Sequence, residues 1–438
     1  MGKYKQALKE IIFKILRVLI SLSCKINYPK LTSFFLLLSL RKSKLIKQSK
    51  NGKKNIIVID KSFGGDDLAA AFKNKASPYQ IFIIQRVFIR EIYNHFFKKF
   101  SNLIHENNYE NIKNENIENA KLKYRNYLYK TFFYLNKYKI IDAFISFNIF
   151  YLIERELHFA AKELKIKFIV HMKESIHWGQ KKRSNFLHWK NNFNSMPITR
   201  VSIYNKYTKD IISSSNLVKK DKIEVVGMPR SDDYFNFKIK KDGEYVLFLM
   251  IERTASLPYY SGEWNEKYFK KFDWKKLSIK TNKIIIDLAK ENKDIFFYFK
   301  TKPNESVEEL RVAKKNSLNN LKIVQGGASK ELIRNAKIII AFNTTGIFEG
   351  LILKKNIIVP KLKLYPKTTY NKYCPDLKGL VYEPDNEPKM KSIINRLIRN
   401  KIKIKINESK RKKLLTHHFD SLNGNSGDRL RNFLLKNI

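Results

Sequence analysis

The chain has 438 residues, 43% of them hydrophobic, and sets 87 Lys and Arg against 40 Asp and Glu for a formal net charge of +47. That length and apolar content suit two or three domains with real cores. Two cysteines, Cys24 and Cys374, argue against a disulfide framework or a cysteine zinc site and point to a reducing cytoplasm, while the charge calls for an anionic partner.

The charge is concentrated at the ends. Residues 1–54 carry 14 Lys/Arg and one acid, and residues 386–438 carry 14 against 4, so +13 and +10 of the total lie there. In MGKYKQALKEIIFKILRVLISLSCKI, Glu10, Lys14, Arg17 and Ser21 form one helical stripe, and Ile11, Ile12, Ile15, Leu16, Val18, Leu19 and Leu22 cover the rest. This is too interrupted to cross a membrane, and SFFLLLSL at 33–40 is too short. Two readings stand, an interfacial helix on an anionic cytoplasmic leaflet or a helix docked on the protein's own body.

NIIVID (55–60) opens the globular part as a buried strand and runs through a glycine turn into the helix GGDDLAAAF, with Asp66 and Asp67 in its first turn. QIFIIQ (80–85) is the next strand. A long helical stretch from Phe88 to about Lys137 follows, broken by the Asn-rich ENNYENIKNENIENA, then strands IIDAFISF (140–147), KFIVHM (167–172), RVSIYN (200–205) and IEVVGM (223–228). After the polar break KIKKDGE (238–244), strands recur at 245–251, 295–300 and 321–324. Strand and helix alternate throughout, the pattern of parallel sheets covered on both faces. The tail from about Pro388 is helical and basic, apart from KIKIKI (401–406), which suits an edge strand or a linker.

The stretch 324–361, VQGGASKELIRNAKIIIAFNTTGIFEGLILKKNIIVPK, carries the most information. The buried strand KIIIAF delivers NTTG to the carboxyl edge of a sheet, where open α/β sheets bind ligands. Asn343, Thr344, Thr345 and Gly346 thereby offer backbone N–H groups and hydroxyls to an anion, or simply cap a helix. The chain has only 15 Gly and 11 Pro, about half of ordinary usage, so the glycines of this segment mark positions where a side chain would not fit.

Two α/β halves with a short linker and terminal helices look like the GT-B glycosyltransferase architecture. VVGMPRSDDYF (225–235), FYFKTKPNE (297–305), ASKELIRNAKIIIAFNTTGIFEGLILKKNIIVP (328–360) and IVHMKES (169–175) resemble segments of bacterial surface-carbohydrate and capsule-polysaccharide biosynthesis proteins. That group includes Kdo-transferase-like enzymes and, more distantly, teichoic-acid glycerophosphotransferases. The resemblance covers residues 55–365. It implies an α/β chain of two Rossmann-like parallel-sheet domains facing a cleft: a basic amphipathic segment (1–54), an acceptor domain (55–240), a nucleotide-donor domain (241–385) and a basic helical tail (386–438).

On that resemblance the donor site comprises Arg230, whose planar fork suits a phosphate, with Arg253, Thr254, Lys300, Lys302 and the 343–346 turn, and Glu349 accepts from donor hydroxyls or pairs with a lysine. Arg230 paired with Asp232 is the structural alternative. Family members read K-x-H-P where this chain has Lys300, Thr301, Lys302 and Pro303; a lysine holds a phosphate but shuttles no proton near neutral pH without a large pKa shift. Candidate general bases are His171 and Glu174, in a loop with Lys173 and His177, and Asp66, whose alternative is helix capping. His417 and His418 read as surface.

The implied activity is transfer of a sugar from a nucleotide-activated donor, CMP- or UDP-linked, to a surface polysaccharide or lipid-linked glycan acceptor. No cofactor and no metal are expected, as neither zinc-like spacing nor a D-x-D pair occurs. The enzyme would sit on the inner face of the cell membrane. Glycerophosphate transfer of the teichoic-acid type is the nearest rival and nucleotide-sugar epimerisation a remoter one. A basic nucleic-acid-binding protein is the rival outside enzymes, but the aromatics lie inside apolar strands and no nucleic-acid module is evident, so no nucleic acid is expected as a partner.

Overall fold

The computed structural model describes residues 2–49, 52, 54–60, 64–104, 108–173, 195–215, 217–237, 243–251, 274–301, 311, 318–327 and 329–438. The chain divides into two compact units, residues 1–175, 186–232 and 419–438 in the first and 176–185 and 233–418 in the second.

The first unit holds a sheet of β1 (Arg41–Lys42), β2 (Lys54–Asp60), β3 (Tyr79–Gln85), β4 (Ala143–Ser146), β5 (Lys167–Met172), β6 (Arg200–Ile203) and β7 (Ile223–Val225). Their order is β1-β3-β2-β4-β5-β6-β7, and every pairing is parallel except β1 with β3. Continuous β-branched runs make these strands because both faces are covered: Ile56, Ile57, Val58 and Ile59 are all buried. The two-residue edge strand β1 has no such run and left no trace in the sequence pattern.

Two N-terminal helices, α1 (Gly2–Lys25) and α2 (Pro29–Ser39), pack on this unit. Among the residues of α1 whose burial is described, Leu16, Ile20, Ser23 and Cys24 form a narrow buried stripe, with Phe13 5.0 Å from Phe88. Leu8, Ile11, Ile12, Ile15, Val18 and Leu22 are 46–58% exposed. α2 buries Thr32, Ser33 and Ser39 together with Leu36, while Phe34 and Leu38 face solvent. A hydroxyl chain, Ser23 Oγ to Thr32 Oγ1 at 2.6 Å and on to Tyr127 Oη at 2.5 Å, satisfies the buried Thr32, and Ser39 Oγ donates to the Leu36 carbonyl at 2.7 Å. No helix among the described residues is long and apolar enough to cross a membrane.

The expected basic tail divides between the units. Helix Glu387–Ile398 packs on the second, and helix Ser426–Asn437 inserts Leu430, Phe433 and Leu434 into the core of the first beside Val58, Leu68 and Phe72. At roughly 1.5–3 kcal/mol for each large apolar side chain buried, those three alone rival the net stability of a domain. Asp232 fixes the start of that helix by accepting from the backbone N–H of Ser426 (3.1 Å) and Gly427 (2.6 Å). The Arg230–Asp232 pair considered from sequence is therefore not the contact these residues make. KIKIKI forms no strand, so its alternation serves a linker.

The second unit holds a wholly parallel sheet of β8 (Tyr245–Leu249), β9 (Phe296–Thr301), β10 (Leu321–Gln325), β11 (Ala336–Ile340) and β12 (Asn356–Ile358), in the order β10-β9-β8-β11-β12. Each sheet reverses its strand order once, between β2 and β4 in the first and between β8 and β11 in the second. Ligands of open α/β sheets bind outside the carboxyl ends of strands at such points. A glycine begins a helix at each reversal. A Cβ on Gly64 would lie 2.3 Å from the Phe147 ring just after β4, and one on Gly346 would lie 2.3 Å from Leu249 at the end of β8.

Candidate active site

In the second unit, β11 ends at Ile340 and the chain turns through Phe342 and Asn343 into helix Gly346–Ile352. Asn343 takes a left-handed φ of +46° and its amide donates to the Tyr373 carbonyl at 3.2 Å, so its side chain braces the turn and caps nothing. Thr345 is the N-cap residue, yet its hydroxyl makes no capping bond. The Thr344 hydroxyl lies 3.5 Å from the Gly346 nitrogen, at the limit of a hydrogen bond. Both threonines are half-buried at the carboxyl end of the sheet. Glu349 accepts from the Tyr234 hydroxyl at 2.6 Å.

Lys300 is 9% exposed, and its ammonium donates to the carbonyls of Gly326 (2.7 Å) and Thr301 (3.2 Å); burial lowers its pKa. The cation thus ties the carboxyl ends of β9 and β10 together. Arg253, Thr254 and Lys302 lie outside the described residues, as does Glu174.

In the first unit, α3 (Gly64–Ala71) follows β2 and places its two aspartates differently. Asp66 is exposed at the carboxyl edge of the sheet. Asp67 is fully buried and accepts four hydrogen bonds: from His171 Nε2 (3.2 Å), the Tyr204 hydroxyl (2.6 Å), the Arg230 backbone N–H (3.0 Å) and Arg230 Nη1 (2.9 Å). Burial alone would raise its pKa, but Arg230, His171 and Tyr204 outweigh that and hold the carboxyl at about 2. An ionised Asp67 requires the proton of His171 on Nε2, and Nδ1 faces the Ser202 hydroxyl at 2.9 Å. His171 is itself fully buried, so its ring stands behind Asp67 and not on the surface.

Two further groups complete this edge. Asp60, the last residue of β2, has its carboxyl pushed up, chiefly by burial and further by Asp66, against the opposing pull of Lys173. Asp60 and Asp66 thus both stand at the strand-order reversal, and the charge of Asp66 disfavours that of Asp60. Asp67, Ser202, Tyr204, Asp60 and Tyr234 were not singled out from sequence. Asp67 had a signal, since it shares a helical stripe with Leu68 and Ala71, whereas Asp66 falls off it.

No family model matches the chain, and no curated protein sequence matches it. Among solved structures, the wall teichoic acid polymerase TagF aligns over 97% of this chain and 97% of that one with a TM-score of 0.50 at 12% identity. The fold is of the GT-B type. UDP-GlcNAc 2-epimerases from Neisseria meningitidis, in a structure bound to UDP-GlcNAc, and from Methanocaldococcus jannaschii align over 88% and 87% of this chain and 100% and 99% of theirs, with TM-scores of 0.47 and 0.46 at 13% and 15% identity. In GT-B terms, the two parallel sheets are the two Rossmann-like domains, and the Thr344–Thr345 turn and the Asp67 network occupy the carboxyl edges of the two sheets.

Proposed function

We propose that this protein is a transferase that moves a sugar from a nucleotide-activated donor to a surface polysaccharide or lipid-linked glycan. The observation that carries the reading is the Thr344–Gly346 turn at the strand-order reversal of the second sheet, where the Thr345 hydroxyl makes no capping bond and the Thr344 hydroxyl makes only a long one. Such a turn suits the donor phosphate, with Glu349 near a donor hydroxyl. The four ordered sequence segments and the GT-B fold support the same class; glycerophosphate transfer is the neighbouring chemistry.

The acceptor hydroxyl attacks the anomeric carbon, the bond from that carbon to the phosphate oxygen breaks, and the hydroxyl proton passes to a base. Charge gathering on the departing phosphate is met by the turn. Asp66 is the base this reading favours, because a base must reach the hydroxyl it deprotonates and Asp66 is exposed beside Asp60. His171 then acts through Asp67, which fixes both the backbone and the guanidinium of Arg230.

The inner face of the membrane is the proposed location. The outward stripe of α1 and Phe34 and Leu38 of α2 present apolar side chains among Lys9, Lys14, Lys25 and Lys30, a combination that suits an anionic lipid surface.

Thermal stabilisation by UDP, CDP and CMP tests the donor class. One of these should raise the melting temperature of the wild type, and Thr344→Ala with Thr345→Ala should lose that rise while melting normally without nucleotide. Equal stabilisation of both proteins, or none of the wild type, contradicts the assignment.

A further inference from the structure

The second unit contains a cavity of about 440 Å³ that the donor turn does not use, lined by the segment after β12. The chain leaves β12 and enters two consecutive left-handed residues, Leu362 (φ +51°) and Lys363 (φ +48°), an uncommon conformation for side chains that are neither Asn nor Asp. Leu362 is buried, and its N–H and that of Lys361 both donate to the Pro384 carbonyl, at 3.2 and 3.0 Å. This holds the strand exit open around the cavity. Helix Lys367–Tyr373 forms a second wall, contributing Lys367, Tyr370 and Asn371.

The lining combines three kinds of group. Tyr365 supplies ring surface, and it and the buried Tyr370, whose ring lies under the Lys361 ammonium, are fixed by the buried Trp274, whose ring lies 4.9 Å from Tyr365 and 6.0 Å from Tyr370. Lys361 with Glu383 (3.3 Å) and Lys363 with Asp385 (3.4 Å) place donors next to acceptors along one side. Lys367 and Lys378 add positive charge, so four lysines face three carboxylates, Asp376 being the third.

A neutral apolar ligand leaves those ion pairs unused, and a plain phosphate leaves the rings unused. A sugar carrying a negative group uses all three. Its apolar C–H face packs on an aromatic ring, its hydroxyls donate to carboxylates and accept from ammonium groups, and the excess lysines meet the charge. We infer that this cavity is a binding site for an anionic saccharide unit, one bearing a carboxylate or a phosphate.

The cavity adjoins the proposed donor turn. Asn343 donates to the carbonyl of Tyr373, the last residue of the wall helix, and Phe342 lies 6.3 Å from Tyr370. The unit held there is accordingly either the sugar carried by the donor or the terminal sugar of the acceptor. That choice of source rests on the donor reading of the turn, whereas the chemistry of the cavity does not.

Saturation-transfer NMR on the full chain with D-glucuronate, D-glucose 1-phosphate and neutral D-glucose tests the site. The wild type should transfer saturation to both anions and bind glucose more weakly. Lys363→Gln with Lys367→Gln, both exposed, should weaken glucuronate about tenfold, a few-fold for each exposed charge, and leave glucose unchanged; Tyr365→Ala should weaken all three. Displacement of glucuronate by UDP-glucuronate, or by CMP-N-acetylneuraminate, but not by the matching bare nucleotide assigns the cavity to the donor's sugar. Simultaneous binding assigns it to the acceptor's. No transfer to either anion, or glucuronate binding indifferent to the lysine substitutions, overturns the inference. Nucleotide binding without anionic sugar binding defeats only the cavity, and the converse defeats only the donor turn.

Discussion

Replacing Asp67 by asparagine separates the two aspartates that follow Gly65. The carboxyl of Asp67 is held at about 2 against an ordinary 3.8, worth about 2.5 kcal/mol at neutral pH at about 1.4 kcal/mol for each decade of proton affinity. The sign follows from the depression: this stability is complete above about pH 4 and is lost as the pH falls through about 2. Removing one partner of a wholly buried ion pair costs about 3–5 kcal/mol, but the Arg230 side chain is 19% exposed and partly rehydrates. Asp67→Asn should therefore destabilise the protein by about 2–3 kcal/mol in urea denaturation at pH 7. Asp66→Asn, one residue away and exposed, should stay within about 0.5 kcal/mol. Equal losses for the two variants, or none for Asp67→Asn, would refute the network as the support of Arg230.

Gly346→Ala drives a methyl into Leu249 and should lower stability by about 1–3 kcal/mol, read from the melting temperature; an unchanged value would show that the turn has slack. His158 is buried and, among the described residues, has no hydrogen-bond partner on either ring nitrogen; burial, with Arg155 adding, lowers its pKa to about 3. Stability from its neutral form is complete above about pH 6.5 and falls as the pH drops toward 3, so between pH 7 and 5 the wild type should lose about 2 kcal/mol more than His158→Phe. Ile11→Ser, Ile15→Ser and Val18→Ser together remove only outward-facing apolar groups of α1, and should reduce binding to anionic vesicles more than tenfold while the protein stays folded. Unchanged vesicle binding would leave α1 with a purely internal role.

The strands were legible because a parallel strand covered on both faces has to be apolar without interruption, as in IIVI of β2 and III of β11. The turn after β11 was legible for the same reason, since such a strand ends at a ligand edge. Asp67 was not picked out, because in GGDD either aspartate satisfies a helix N-terminus and only the phase of the buried stripe separates them. His171 was found, but its complete burial depends on Ser202 and Tyr204, which β6 brings alongside and no local pattern announces. The last helix read as a basic tail because charge dominates its composition, although Leu430, Phe433 and Leu434 stand at core spacing. The buried face of α2 was opaque for the opposite reason: its hydroxyl residues Thr32, Ser33 and Ser39 face inward beside Leu36, against the rule that places helices from sequence.

Amide hydrogen exchange with and without the stabilising nucleotide reads whether a nucleotide-activated donor sits on the turn after β11. Protection should rise at residues 343–349 and vanish from the difference map in the Thr344→Ala, Thr345→Ala protein. A nucleotide that binds yet protects only other segments, or protects 343–349 equally in both proteins, would contradict the account.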